Sequence, residues 1–266
     1  NLNFTIGKQF VNFGGYEYYV NSIRVREFSE FNNLLTAYQA GISGNWQVNP
    51  DHELCFQIVN NRNGNDEDIY PTGLPEGTAK AKIPFMYTVN WNSYYLDKSL
   101  QLRYATAVGQ QTRKRYSYYF TCGNTYEKGP LLTYLDVMYT RQGIDQHGVV
   151  SRLPGTPHTA MNTEYLSIIG DVDYRVHPQW NVYVKGAYET ARVYKGNGDF
   201  RKGMYRRSWN AQSSVEFFPF KQLDLFVFVL YTYRGVILEK AATRMGAIEP
   251  DTHRISLGLV YSIPVF

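Results

Sequence analysis

The stretch LQLRYATAVGQQT, Leu100 to Thr112, alternates between two kinds of side chain. Leu100, Leu102, Tyr104, Thr106 and Val108 fall on one face; Gln101, Arg103, Ala105, Ala107 and Gly109 fall on the other. Alternation with period two is the signature of a β-strand whose two faces meet different surroundings. One face here suits hydrocarbon and the other suits water. The stretch is also long enough to cross a bilayer with tilt, which takes about 9–11 residues.

The same pattern recurs outward from this stretch. Trp180, Val182, Val184, Gly186 and Tyr188 oppose Asn181, Tyr183, Lys185 and Ala187. Tyr205, Arg207, Trp209, Ala211, Ser213, Val215 and Phe217 oppose Arg206, Ser208, Asn210, Gln212, Ser214 and Glu216. Tyr38 to Val48 alternates likewise. Further strands are expected at Leu2–Lys8, Glu53–Asn60, Ile83–Tyr94, Tyr116–Cys122, Leu131–Arg141, Tyr165–Val176, Leu223–Arg234 and Arg254–Val265. That makes about twelve strands, and no capped helical pattern competes with them.

The connections differ in length. Short, breaker-rich turns are read at Asn49-Pro50-Asp51, Leu96-Asp97-Lys98, His177-Pro178-Gln179 and Pro219 to Gln222. Long polar connections are read from Asn61 to Lys82, Gln142 to Asn162, Lys195 to Met204 and Glu239 to His253. Short turns on one side and long loops on the other are the plan of an outer-membrane barrel. Trp46, Trp91, Tyr94, Tyr95, Trp180, Phe217 and Phe218 lie close to the short turns, where an interfacial aromatic girdle belongs. The fold expected is all-β: an antiparallel, up-and-down transmembrane β-barrel.

Composition agrees. Aromatics make 16% of the 266 residues, with 24 Tyr against 4 Trp, a load suited to a surface apolar on one side and wet on the other. The mean hydropathy is negative, as half of a barrel's strand residues face a wet lumen. No run approaches the roughly 18 apolar residues of a transmembrane helix; the most apolar, Leu225 to Tyr231, is far shorter. The chain opens on Asn1 inside a strand pattern, without a leader. The expectation is one barrel domain over residues 1–266, as a mature protein or as a fragment lacking N-terminal strands.

A net charge of +4, from 27 basic and 23 acidic residues, does not point to nucleic acid. His52, His147, His158, His177 and His253 are placed in turns or loops, with no metal-ligand spacing. No nucleophile or phosphate-loop motif is present, so neither an enzyme nor a cofactor is expected. Cys55 and Cys122 lack metal-ligand spacing and stand as free thiols or one disulfide.

Several stretches resemble the phosphate-selective porin O and P family in its Bacteroidetes branch. They are GKQFVNFGGYEY (Gly7–Tyr18), NNRNG (Asn60–Gly64), LQLRYATAVGQ (Leu100–Gln110), YEKGPLLTYLDVMY (Tyr126–Tyr139), HPQWNVYVKGAYET (His177–Thr190) and RISLGLVYSIPVF (Arg254–Phe266). The resemblance implies a sixteen-stranded barrel, trimeric assembly, basic residues along the channel and a loop folded into it. It also implies a bacterial outer-membrane location and phosphate-like solutes.

Period-two parity places Arg103, Lys185 and Arg206 on the lumen face, with Arg175 and Arg234 on the same parity nearer strand ends. A Lys or Arg facing lipid near the midplane costs about 2–4 kcal/mol, so the inward assignment is favoured. Phe13 to Leu34 is too irregular for a strand; it is read as a constriction loop offering Arg24 and Arg26 to an anion, or as an ordinary extracellular loop. Lumen-parity acids, Asp136, Asp171, Asp173, Glu189, Glu216 and Asp224, argue for weaker selectivity. Leu223 to Leu230 is apolar on both faces, which suits a plugged or scaffolding barrel. Two functions follow: a porin for passive diffusion of small, anionic solutes, or a porin-like structural subunit of an outer-membrane complex. The expected partners are outer-membrane lipid and either a homotrimer or other outer-membrane proteins.

Overall fold

The computed structural model describes residues 1–11, 13, 38–60, 73–75, 77–79, 81–146, 148–153, 158–198, 200–220 and 225–261. Twelve strands follow in order: β1 (Leu2–Phe10), β2 (Tyr38–Asn49), β3 (His52–Asn60), β4 (Phe85–Tyr95), β5 (Leu100–Thr112), β6 (Arg115–Lys128), β7 (Leu131–Ile144), β8 (Met161–His177), β9 (Trp180–Val193), β10 (Gly203–Phe217), β11 (Leu225–Leu238) and β12 (Thr252–Tyr261). Each pairs antiparallel with its neighbour in sequence, in one sheet ordered β1 to β12. Among the described residues β1 pairs with β2 alone and β12 with β11 alone. A one-turn helix, α1 (Lys240–Thr243), sits between β11 and β12, where no helix is expected from the sequence. No described helix is long and apolar enough to cross a membrane.

One end of the sheet carries tight turns. Pro50-Asp51 joins β2 to β3, and Leu96 to Ser99 joins β4 to β5. In the second turn Leu96, Asp97 and Lys98 all adopt left-handed backbone, with φ of 52, 55 and 67°. Gly129-Pro130, a turn the sequence reading passed over, lets β6 run to Lys128, six residues beyond the expected end at Cys122. The opposite end carries the long connections, with one exception: β5 and β6 are joined there by Arg113-Lys114 alone. The short-and-long plan therefore holds in outline but not strictly.

Burial separates the two faces strand by strand. In β9 burial alternates from Trp180 to Val193, with the odd residues buried and the even ones exposed save half-buried Thr190. Apolar side chains such as Phe4, Ile42, Phe56, Val89, Phe120, Val172, Val184, Val215, Val229 and Leu257 stand exposed on the outer face. On a soluble protein so large an apolar surface would drive association, whereas in a bilayer it faces hydrocarbon. Trp46 and Trp91 (both 47% exposed), Tyr95 and Trp180 project outward near the short turns, and Trp180 stacks on Phe217 with ring centroids 4.6 Å apart. Tyr94 corrects one member of the expected girdle: it sits on the inner parity and accepts a hydrogen bond from Gln101 Nε2 at 3.3 Å.

Outward charges gather at the long-connection end. Arg192 Nε pairs with Glu164 Oε1 at 2.5 Å, Arg207 pairs with Glu239, and the Arg141 guanidinium lies 3.9 Å over the Tyr194 ring. Strand ends reach the interface, where such groups stay hydrated at little cost.

Glycine shapes the sheet at close approaches between neighbouring strands. The Phe56 ring lies over Gly44 on the neighbouring strand, where a Cβ would come within 2.2 Å of it; Trp209 covers Gly235 in the same way, at 2.4 Å. An aromatic ring laid over a cross-strand glycine covers backbone that would otherwise be left bare.

Candidate functional site

The inner face is polar, and the register arranges its side chains in rows across the strands. One row runs Thr125, Tyr134, Asp171, Lys185, Gln212, Thr232 and Arg254, each directly opposite the next. A neighbouring row brings Asn92, Arg103, Gly123 and Asp136 into line. The Asp136 carboxylate lies over Gly123, where an added Cβ would come within 3.0 Å of it.

Arg103, Lys185, Arg206 and Arg234 all stand on the inner parity, as the sequence leads one to expect. Arg103 Nη2 donates to Gln101 Oε1 at 3.0 Å and to Thr125 Oγ1 at 3.4 Å, both neutral acceptors. Lys185 is only 2% exposed and lies between Asp171 and Gln212. Arg175, near the short-turn end, lies 3.9 Å over the Phe218 ring, and Phe218 in turn stacks on Phe226 at 5.0 Å. Arg24 and Arg26 lie outside the described residues, as does Asp224. The first residues of their connection do turn inward: Val11 and Phe13 are buried with Val59, Met86, Tyr119 and Met138, and Phe13 meets Tyr119 edge-on at 5.9 Å.

Asp136, Asp173, Glu189 and Glu216 accept hydrogen bonds from neutral donors of the same wall. Asp136 accepts from Thr121 Oγ1 at 2.5 Å and from Tyr134 at 2.7 Å. Asn181 Nδ2 bridges Asp173 at 2.7 Å and Glu216 at 3.0 Å. Glu189 accepts from Ser167 at 3.2 Å. These hydrogen bonds orient the carboxylates, so the groups are fixed parts of the wall.

Two long connections fold against this inner face. In the β7–β8 connection, Val149, Val150 and Leu153 bury against Tyr165, Ala191, Val193 and Tyr205 of β8 to β10. Asp145, fully buried, pins it: its carboxylate accepts from Gly148 N at 3.0 Å, from Ser151 N at 2.8 Å, from Ser151 Oγ at 2.7 Å, and from the Tyr165 hydroxyl. Ser151 Oγ then accepts from Ala160 N at 2.9 Å, tying the far end of the connection down. In the β11–β12 connection, Ala242 of α1 and Ala247 join the same cluster. Sequence reading did not single out either connection as inward; small apolar residues among polar ones, as at Val149-Val150 and Ala241-Ala242, were the available signal.

β11 presents Phe226 (7% exposed), Phe228 and Leu230 inward while Val227, Val229 and Tyr231 face outward, so it is apolar on both faces over its described part. Leu223 lies outside the described residues. The thiols are not bridged: Cys55 is on the inner parity of β3 and Cys122 on the outer parity of β6. Three histidines belong to strand ends and not to turns: His52, His177 and His253. His52 Nδ1 lies 3.0 Å from Ser93 Oγ on the next strand. No group of three or more His, Cys, Asp or Glu that could hold a metal occurs among the described residues.

The fold has relatives among solved structures. The outer membrane channel DcaP of Acinetobacter baumannii superposes with a TM-score of 0.60 at 11% identity, over 98% of this chain and 72% of that one. OmpT, an outer membrane protein of Vibrio cholerae, superposes with a TM-score of 0.54 at 11% identity, over 98% of this chain and 76% of that one. At this identity the likeness speaks for the fold. Comparison with curated proteins finds no match. The sequence itself matches the family described as phosphate-selective porin O and P over residues 1–263. The chain belongs to the phosphate-selective porin O and P family and is a non-enzymatic porin of the bacterial outer membrane.

Proposed function

We propose that this porin passes small anions, phosphate-like oxyanions among them, along an inner wall whose working cations are Arg103, Arg175, Lys185, Arg206 and Arg234, with Arg24 and Arg26 added from the β1–β2 connection. The observation that carries this reading is the setting of Arg103. Its guanidinium is held in place by two neutral oxygens, Gln101 Oε1 and Thr125 Oγ1. A guanidinium so placed offers a fixed fork of donors to a passing oxyanion. Arg175 is likewise backed by an uncharged ring. The wall acids moderate the preference. We extend to this chain the trimeric state that is described for OmpT of Vibrio cholerae.

The test is ion conduction by the purified protein in a planar bilayer. Stepwise conductance without added partners supports the porin, and a reversal potential on the anion side supports the anion reading; cation preference contradicts it. A second reading, a structural subunit in a larger outer-membrane complex, is favoured by the inward apolar strip Phe226, Phe228 and Leu230. Under it the pure barrel is silent and copurifies with fixed outer-membrane partners.

A further inference from the structure

We infer that Glu249, in the β11–β12 connection, is a tethered carboxylate that occupies a two-arginine anion site on the inner wall and sets how strongly the channel prefers anions. The inference rests on the porin reading above.

Arg206 of β10 and Arg234 of β11 both aim at one oxygen. Glu249 Oε1 accepts from Arg234 Nη2 at 2.6 Å and from Arg206 Nη1 at 3.5 Å. Arg206 is only 6% exposed, so its charge belongs to the interior of the assembly of wall and loops. Two guanidinium groups converging on one carboxylate oxygen form a receptor for an oxyanion, and the loop supplies the oxyanion itself.

The placement of Glu249 is built, not incidental. On one side Ala247 is buried in the cluster that packs the connection onto β8, β9 and β10. On the other side Asp251 is fastened to the end of β11, accepting from Val236 N at 2.8 Å and from the Tyr233 hydroxyl at 3.3 Å. Glu249 is thereby held between two anchors, beside the arginines, at the high effective concentration that a short tether gives.

Chemically, the loop brings one negative charge to two guanidinium groups. A free anion such as inorganic phosphate competes with the carboxylate for the same donors. Wild-type Glu249 therefore lowers both the anion preference and the occupancy of the site by phosphate. Removing the carboxylate takes away the acceptor that both guanidiniums share and opens that place to the solute.

The experiment uses the full chain in planar bilayers under a potassium chloride gradient, with inorganic phosphate then added as a competitor of chloride current. Glu249→Gln and Glu249→Ala are compared with wild type and with Glu239→Gln. Glu239 pairs with outward-facing Arg207, away from the inner wall. The expected result is a shift of the chloride-to-potassium permeability ratio by about fivefold in both Glu249 variants, the effect of one unit charge near contact distance in a watery channel. Phosphate should also reduce the chloride current of these variants at lower concentration than that of wild type. Glu239→Gln should match wild type. Unchanged permeability ratio and unchanged phosphate sensitivity in both Glu249 variants overturn the assignment. So does an equal shift in Glu239→Gln, which makes the effect one of overall charge. The difference between wild type and Glu249→Gln decides the matter whichever ion wild type prefers, so a cation-preferring wild type contradicts the anion reading separately.

Discussion

Asp171 of β8 stands directly opposite Lys185 of β9 on the inner face, and both are buried. Directly opposite residues on adjacent strands have Cβ atoms about 4.5–5.5 Å apart, close enough for the two charges to stabilise each other. Removing one member of a buried pair leaves the other uncompensated, at a cost of about 3–5 kcal/mol in a dry setting. Lys185→Met is therefore expected to lower stability by a few kcal/mol. Asp171→Leu combined with Lys185→Met should cost less than the sum of the two single changes. Urea-dependent unfolding in detergent, run as a double-mutant cycle, measures this; additive costs would show that the pair does not interact.

The two faces of the sheet should answer differently to the same change. Val184 projects outward from the middle of the strand. Val184→Arg puts a cation in hydrocarbon and is expected to destabilise the folded barrel by about 2–4 kcal/mol. Gln212→Arg, on the inner parity of β10, should cost far less. Thermal loss of the compact, heat-modifiable form on electrophoresis separates the two; equal losses would contradict the face assignment.

Gly44 lies under the Phe56 ring, with no room for a methyl group. Gly44→Ala has to displace the ring, which overpacking data place at about 1–3 kcal/mol. The double change Gly44→Ala with Phe56→Leu should recover part of that loss. Midpoints of urea unfolding check both, and an Ala variant as stable as wild type would show that the ring is free to move.

Asp145 should govern how firmly the β7–β8 connection sits on the inner wall. Its carboxylate gathers two backbone amides and two hydroxyls. Asp145→Ala leaves these donors without their acceptor inside a buried cluster, at about 1–3 kcal/mol each where water does not replace it. The expected outcome is faster protease cleavage between residues 145 and 160 and a larger, noisier single-channel conductance. Wild-type cleavage and conductance in Asp145→Ala would show that the connection is held by its apolar contacts alone.

Strand-level structure was readable because it is local. Trp180, Val182 and Val184 face lipid and Asn181, Tyr183 and Lys185 face inward by parity alone, and every expected strand is present within a few residues at its ends. The ends themselves were less legible. β6 outruns its expected stop because Gly123, Asn124 and Thr125 look like breakers while pairing with β7 holds them in the ladder. Inward placement of Arg103, Lys185, Arg206 and Arg234 was legible for the same reason as the strands. Glu249 and Asp145 were not. They lie in connections, where no period says which way a side chain points, and their positions depend on packing between segments distant in sequence, such as Ala247 against β9 and Tyr165 over Asp145. Tyr94 was misplaced because proximity to a turn was read in place of parity.

The inward wall of fixed cations is most directly tested by the reversal potential of the purified wild-type channel and of Arg103→Gln under a salt gradient. Anion preference in wild type that is weakened by Arg103→Gln, with stepwise conductance retained in both, is the expected result. Cation preference in wild type, or a potential indifferent to loss of Arg103, would contradict the assignment of this wall as the path of an anion.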